Sequence, residues 1–209
     1  MRTVGLAVIL AAILPVTMCE AAGKAPSGPS SGLCEKEIEG AAKRNGIPVA
    51  ILYSVGLTET GNRGSLYPWA LNIEGRAVFP ASKAAALVVF REAKAEGKSL
   101  IDVGCMQVNH HFHGNRFTSV EEMFDPPRNI DYAARFLRQL FATHGSWSMA
   151  VARYHAGPDN NPAQKRYICR VIANMVAVDY GKWTENARTF CKPGSATPAK
   201  TPRVAEVGG

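Results

Sequence analysis

The chain has 209 residues, with 24 Lys plus Arg against 17 Asp plus Glu, for a formal charge of +7. That length suffices for one compact domain whose core needs no metal to hold it. The basic balance favours acidic polymers, and with no nucleic-acid motif or aromatic platform in sight, DNA and RNA are set aside as partners.

The chain opens with MRTVGLAVILAAILPVTMCEAA, in which Arg2 precedes an apolar stretch from Val4 to Leu14 and small residues follow. This reads as a secretory signal peptide over residues 1–21, too short to span a bilayer comfortably. Cleavage after Ala21 places small residues, Cys19 and Ala21, where the peptidase wants them, whereas a cut after Ala22 would put Glu20 there. Lipidation of Cys19 and an uncleaved anchor are the rival uses, and Met18 is larger than the residue lipoprotein processing usually requires. Removing residues 1–21 takes away Arg2 and Glu20, so the mature chain stays at +7. Export implies a periplasmic location, where an anionic envelope polymer fits the charge.

Export also changes how the cysteines read. Without Cys19, the chain keeps Cys34, Cys105, Cys169 and Cys191, which an oxidising compartment allows to pair. Four cysteines admit three connectivities, and the sequence does not choose among them. The expected pairing is Cys34 with Cys105 and Cys169 with Cys191, with buried free thiols as the alternative. No C-x-x-C pair supports a metal or redox role.

Residues 22–32, rich in Gly, Pro and Ser, form a linker, and 192–209 a low-complexity tail, which leaves 33–191 as the folded body. The segment CEKEIEGAAKRNG predicts a first helix closed at Asn45-Gly46. Pro48 suits the first turn of a second helix that ends at Gly61. From Ser82 to Glu96 a Ser cap, an apolar body and the stop at Gly97 predict a third. Ser119 and Glu122 offer a capping box before Met123-Phe124, and Asp125-Pro126-Pro127 breaks that short element. Ile130, Ala134, Leu137 and Phe141 mark one stripe of a long helix ending near Gly145, and Trp147, Val151 and Tyr154 a shorter one. A last helix runs from about Ala163 to Val178, with Tyr167, Val171 and Met175 four apart. Only Leu100 to Val108 suggests strand. The fold class is mostly α, with room for a small irregular β segment.

Glu59 stands out because Ile51 and Val55 precede it at helical spacing, so the acid shares a face with apolar residues. A carboxyl in such surroundings is expected to be partly desolvated, which disfavours its anion. Two further stretches join TETG at 58–61: DVGCMQVN at 102–109 and RYHAG at 153–157. In this order the three resemble the motifs of lytic transglycosylases (SLT domain) of the lysozyme-like superfamily, in the subgroup with the DVGCMQVN form. The resemblance spans about Cys34 to Tyr167. It implies a goose-type/SLT helical domain with a catalytic cleft, and an activity that needs no cofactor and no metal.

The same resemblance assigns roles. It makes Glu59 the general acid and base, Gly104, Met106 and Gln107 the cleft segment that supports substrate, and Tyr154 the aromatic that holds acid and sugar. Asn109 and Asn72 are candidate polar contacts, and Trp69 with Tyr67 a candidate sugar-stacking wall. His155 is a neighbour of the site. The segment YPWALNIEGRAVFP and the helix from Ser82 stand where relatives carry a shorter Ser- and Gly-rich stretch. The implied substrate is the glycan strand of peptidoglycan, cut between N-acetylmuramic acid and N-acetylglucosamine to leave a 1,6-anhydro end. A hydrolase in which Asp102 or Glu74 supplies a second carboxylate, and a catalytically silent glycan-binding module, are the alternatives. A monomer serving a flagellum or a secretion system is the implied setting. The run NHHFH, with His110, His111 and His113, lacks the spacing of a zinc motif and reads as a loop.

Overall fold

The computed structural model of the protein describes residues 32–61, 65–157 and 161–192. The expected signal peptide, the linker up to Ser31 and the tail beyond Lys192 lie outside the described residues.

Helix α1 (Glu35–Asn45) carries Glu35 and Glu37 in its first turn and Lys43 and Arg44 in its last, the order the helix dipole favours. It buries Ile38, Ala41 and Ala42 and stops at Gly46 in the left-handed conformation. Helix α2 (Val49–Thr60) is apolar nearly all round, as a helix packed on several sides must be. Ile51, Leu52 and Val55 are buried in it. At Gly56 a Cβ would lie 2.6 Å from Leu66 Cδ2, so any larger residue must push that buried side chain aside.

A four-stranded antiparallel sheet has the order β2-β1-β3-β4. Its strands are β1 (Leu71–Ile73), β2 (Arg76–Val78), β3 (Ile101–Val103) and β4 (Val108–Asn109). The single strand suggested over 100–108 is thus divided, because the turn Gly104–Gln107 interrupts it. The first hairpin has no counterpart among the elements expected from sequence. It turns at Glu74 and Gly75, with φ of 50° and 94°, a two-residue connection whose twist matches that of paired strands.

Helix α3 (Lys83–Ala95) starts where expected, with Ser82 Oγ accepting the Ala85 N–H at 3.2 Å. After β4 come two elements where the sequence suggests loop, α4 (His110–His113) and a 3-10 turn at Gly114–Arg116. Short α5 (Val120–Met123) shows half of the expected capping box: Ser119 Oγ accepts the Glu122 N–H at 3.3 Å. The Glu122 carboxylate reaches one residue further back, taking the N–H and hydroxyl of Thr118 at 2.6 and 2.8 Å. Pro126 then opens α6 (Pro126–His144), where its missing N–H costs nothing.

Helices α7 (Trp147–Ala156) and α8 (Asn161–Ala177) complete the body, with α8 packed on α2 and α7. The last helix, α9 (Glu185–Cys191), is also absent from the sequence expectation; seven residues are too few to show a period. The cysteines pair as expected, Cys34 with Cys105 and Cys169 with Cys191. The second bond fastens α9 to α8, and the first fastens the start of α1 to the turn between β3 and β4.

Candidate active site

Glu59 lies in the last turn of α2, its side chain 12% exposed. Tyr167, on α8 and fully buried, donates its hydroxyl to Glu59 Oε1 at 2.5 Å. Burial, then the charge of Glu59 and this hydrogen bond, push the Tyr167 phenol well above its usual range, so it stays a donor. The His155 ring stacks on that of Tyr167, centroids 4.2 Å apart and planes within 3°, which brings His155 Nδ1 to 3.8 Å from the same Oε1. Oε2 takes no hydrogen bond from the described residues.

The residues on either side hold the acid in place. Thr58 Oγ1 donates to the Ser54 carbonyl at 2.7 Å and accepts from Asn174 Nδ2 at 2.9 Å. Thr60 Oγ1 donates to the Cys105 carbonyl at 2.9 Å and accepts the Tyr67 N–H at 3.3 Å. The second threonine joins the end of α2 to the β3–β4 turn.

That turn needs two left-handed residues, Gly104 (φ 80°) and Gln107 (φ 46°). A Cβ at Gly104 would fall 2.6 Å from Asn129 Nδ2. Asn129, fully buried, accepts the Met106 N–H at 2.9 Å and donates to the carbonyls of Val103 and Met123 at 3.0 and 2.9 Å. Gln107 Nε2 donates to Ala70 O at 3.2 Å and to Gly104 O at 3.0 Å, so its amide shapes the turn from within. The side chain of Met106 is fully buried, which makes it a support beneath the site and leaves it no surface for a substrate.

Tyr154 donates to the Met106 carbonyl at 2.7 Å. Its phenol is pushed well above the usual range by burial, then by the charges of Glu59 and Asp102. It holds the turn, while the acid is held by Tyr167. In the sequence Tyr167 is only a member of an apolar stripe, and no local signal marks its partner 108 residues away.

The two candidate asparagines are committed to Asp102. Asn109 Nδ2 donates to Asp102 Oδ1 at 2.6 Å and Asn72 Nδ2 to Oδ2 at 3.2 Å. Asn109 Oδ1 meanwhile accepts from the N–H groups of His111 and Phe112 at the start of α4. Glu74 is far from this arrangement in role: it pairs with Lys98 at 3.2 Å on the surface. Trp69 is half-buried against the core, and Tyr67 turns its hydroxyl to Pro80 O at 3.0 Å. The three histidines of NHHFH separate: His110 meets the Phe90 ring, His111 the Phe112 ring, and His113 Nδ1 the Tyr132 hydroxyl at 2.9 Å.

A mostly helical domain with a small sheet, presenting one nearly buried carboxyl beside a glycine-glutamine turn, has the plan of a lysozyme-like, glycan-cleaving domain. The model of the transglycosylase SLT domain family matches residues 37–168, and the chain belongs to that family of lytic transglycosylases, which act on peptidoglycan. No match is found among curated proteins or among solved structures.

Proposed function

We propose that the protein is an exported murein lytic transglycosylase of the DVGCMQVN subgroup, periplasmic and acting as a monomer. It cleaves the bond between N-acetylmuramic acid and N-acetylglucosamine and leaves 1,6-anhydromuramic ends. The observation that carries the reading is the carboxyl of Glu59, 12% exposed in the last turn of α2 and oriented through Oε1 by the Tyr167 hydroxyl.

In this mechanism Glu59 protonates the leaving glycosidic oxygen and then takes the proton of the C6 hydroxyl as that oxygen attacks C1. One group suffices because the sugar supplies its own nucleophile, where other glycosidases use a second carboxyl. A hydroxyl held against Oε1 fixes the rotamer of the acid through both steps. Gln107 and Tyr154 brace the turn that Thr60 joins to the end of α2, Met106 supports them, and Trp69 with Tyr67 offers aromatic surface to a sugar ring. Opening of the wall for remodelling, or for a flagellum or secretion system that crosses it, is the setting this activity suits.

The test of a catalytic rather than a silent domain is Glu59→Gln. The variant is expected to lose lysis of purified peptidoglycan while still sedimenting with it. Undiminished lysis by this variant would overturn the assignment of Glu59.

A further inference from the structure

Asp102 on β3 lies opposite Asn72 on β1 and opposite Asn109 on β4. The register therefore lays amide, carboxylate and amide in one row across three strands, on the face opposite buried Leu71, Ile73, Ile101 and Val103. Each oxygen of Asp102 receives one amide donor, and Asn109 is itself fixed by the N–H groups of α4. No Lys or Arg among the described residues pairs with Asp102. The row belongs to the hairpin whose turn receives the Thr60 hydroxyl, the residue next to Glu59.

A half-buried carboxylate without a cation is costly, and it is oriented here with lone pairs left over. Burial, and then the charge of Glu59, push Asp102 above the usual aspartate range, against the hydrogen bonds of Asn109 and Asn72 and the charge of His155. The titratable groups facing it are thus Glu59 from α2 and His155 and Tyr154 from α7. A carboxylate in that position gains most when positive charge develops beside it.

We propose that Asp102 accepts the N–H of the 2-acetamido group on the sugar being cleaved, turning the acetamido oxygen toward C1. This rests on the peptidoglycan reading of Glu59. As the C1–O bond breaks, its electron pair leaves with the glycosidic oxygen, which takes the Glu59 proton. The acetamido oxygen bonds to C1 and the resulting oxazolinium carries the positive charge on its N–H side, against Asp102. Attack by the C6 oxygen then forms the 1,6-anhydro bond, the C1–acetamido bond breaks with its electrons returning to the carbonyl, and Glu59 recovers a proton from O6. No water is consumed. The hydrogen bond to Asp102 strengthens only while the nitrogen is positive, so it acts on the transition state more than on substrate binding.

The experiment compares Asp102→Asn with the natural mature chain on two glycans, one N-acetylated and one N-deacetylated, at mildly alkaline pH so that free amines are neutral. The substitution can keep the row intact: the introduced amide would find the Asn72 Oδ1, which is buried without a partner, if that side chain flips. The variant is expected to lose about 100-fold in kcat on the N-acetylated glycan with KM nearly unchanged. On the deacetylated glycan, which lacks the acetamido oxygen that bonds to C1, neither chain should release anhydro ends, and release there by the natural chain would overturn the proposal. An undiminished kcat of Asp102→Asn on the N-acetylated glycan, or a loss carried by KM alone, would overturn the proposal. Asn72→Ala, which removes one amide from Asp102, is expected to show a smaller loss that again falls on kcat, and a loss confined to KM would also count against Asp102. If the natural chain releases no anhydro ends at all, the reading of Glu59 fails first. Anhydro release that is indifferent to Asp102→Asn would sink this inference alone.

Discussion

The Tyr167 hydroxyl donates to Oε1 of Glu59 at 2.5 Å, joining α8 to the end of α2 across 108 residues of sequence. A hydrogen bond to a charged group contributes about 1.5–3 kcal/mol. Tyr167→Phe keeps the ring against His155 and removes only that donor. The expected result is a fall in kcat of roughly 10- to 100-fold together with a melting temperature lower by several degrees, read from steady-state lysis beside a melting curve. A variant that loses only stability would speak against the role of the hydroxyl in holding the acid.

Gly104 is the residue on which the turn depends. With φ of 80° and Asn129 Nδ2 only 2.6 Å from where a Cβ would stand, Gly104→Ala must displace the buried amide that clamps Met106, Val103 and Met123. Strain of this kind costs on the order of 1–3 kcal/mol, and the urea midpoint should fall accordingly. Activity should fall with it, since the Tyr154 and Thr60 hydroxyls both rest on carbonyls of this turn.

The bond between Cys34 and Cys105 closes a separation of 71 residues and ends on the same turn. Replacing both cysteines by Ser is expected to lower stability by about 2–5 kcal/mol. The pair Cys169 and Cys191 spans 22 residues and fastens α9 to α8 two residues beyond Tyr167, so its replacement should lower stability and affect kcat of the folded fraction less than loss of the Tyr167 hydroxyl does. Denaturant titration of each double variant, with activity measured well below the midpoint, separates the two effects.

Asp102 also makes a prediction about stability and pH. Its proton affinity is raised in the folded state, so its ionised form opposes folding. The unfolded chain releases this proton at lower pH than the folded one. Stability linked to the group is therefore complete below the ordinary aspartate range and is lost as pH rises through the raised folded value. Asp102→Asn should melt higher than the natural chain at neutral pH, with the gain shrinking to nothing as the pH falls below that range. A melting-temperature series across acid and neutral pH checks the sign.

Much of the helical frame was legible because its signals are local. Ser82 before an apolar run, Pro126 at a first turn, and Gly46 and Gly145 after the last are each set by the backbone groups at a helix end. Glu59 was legible through its apolar face taken together with the ordered stretches DVGCMQVN and RYHAG, since an acid at a helix end alone has an equally good structural use. The hairpin at Glu74-Gly75 was not, since three-residue strands show too little alternation and Glu rarely takes a positive φ. Tyr167 was hidden for a different reason. A phenol in a stripe with Val171 and Met175 looks like core, and it is core, except for the one oxygen that meets Glu59. Asn72 and Asn109 were visible as polar residues near motifs, but their common partner Asp102 becomes evident only when β1, β3 and β4 are laid side by side.

The measurement that tests the account most directly is mass spectrometry of purified peptidoglycan digested by the mature protein, with Glu59→Gln in parallel. Muropeptides lighter than hydrolysis products by one water, carrying 1,6-anhydro ends, are expected from the natural chain and should be absent from the Glu59→Gln digest. Reducing ends from the natural chain would contradict it, for they would mean that water attacks C1 and that a second carboxyl serves as its base.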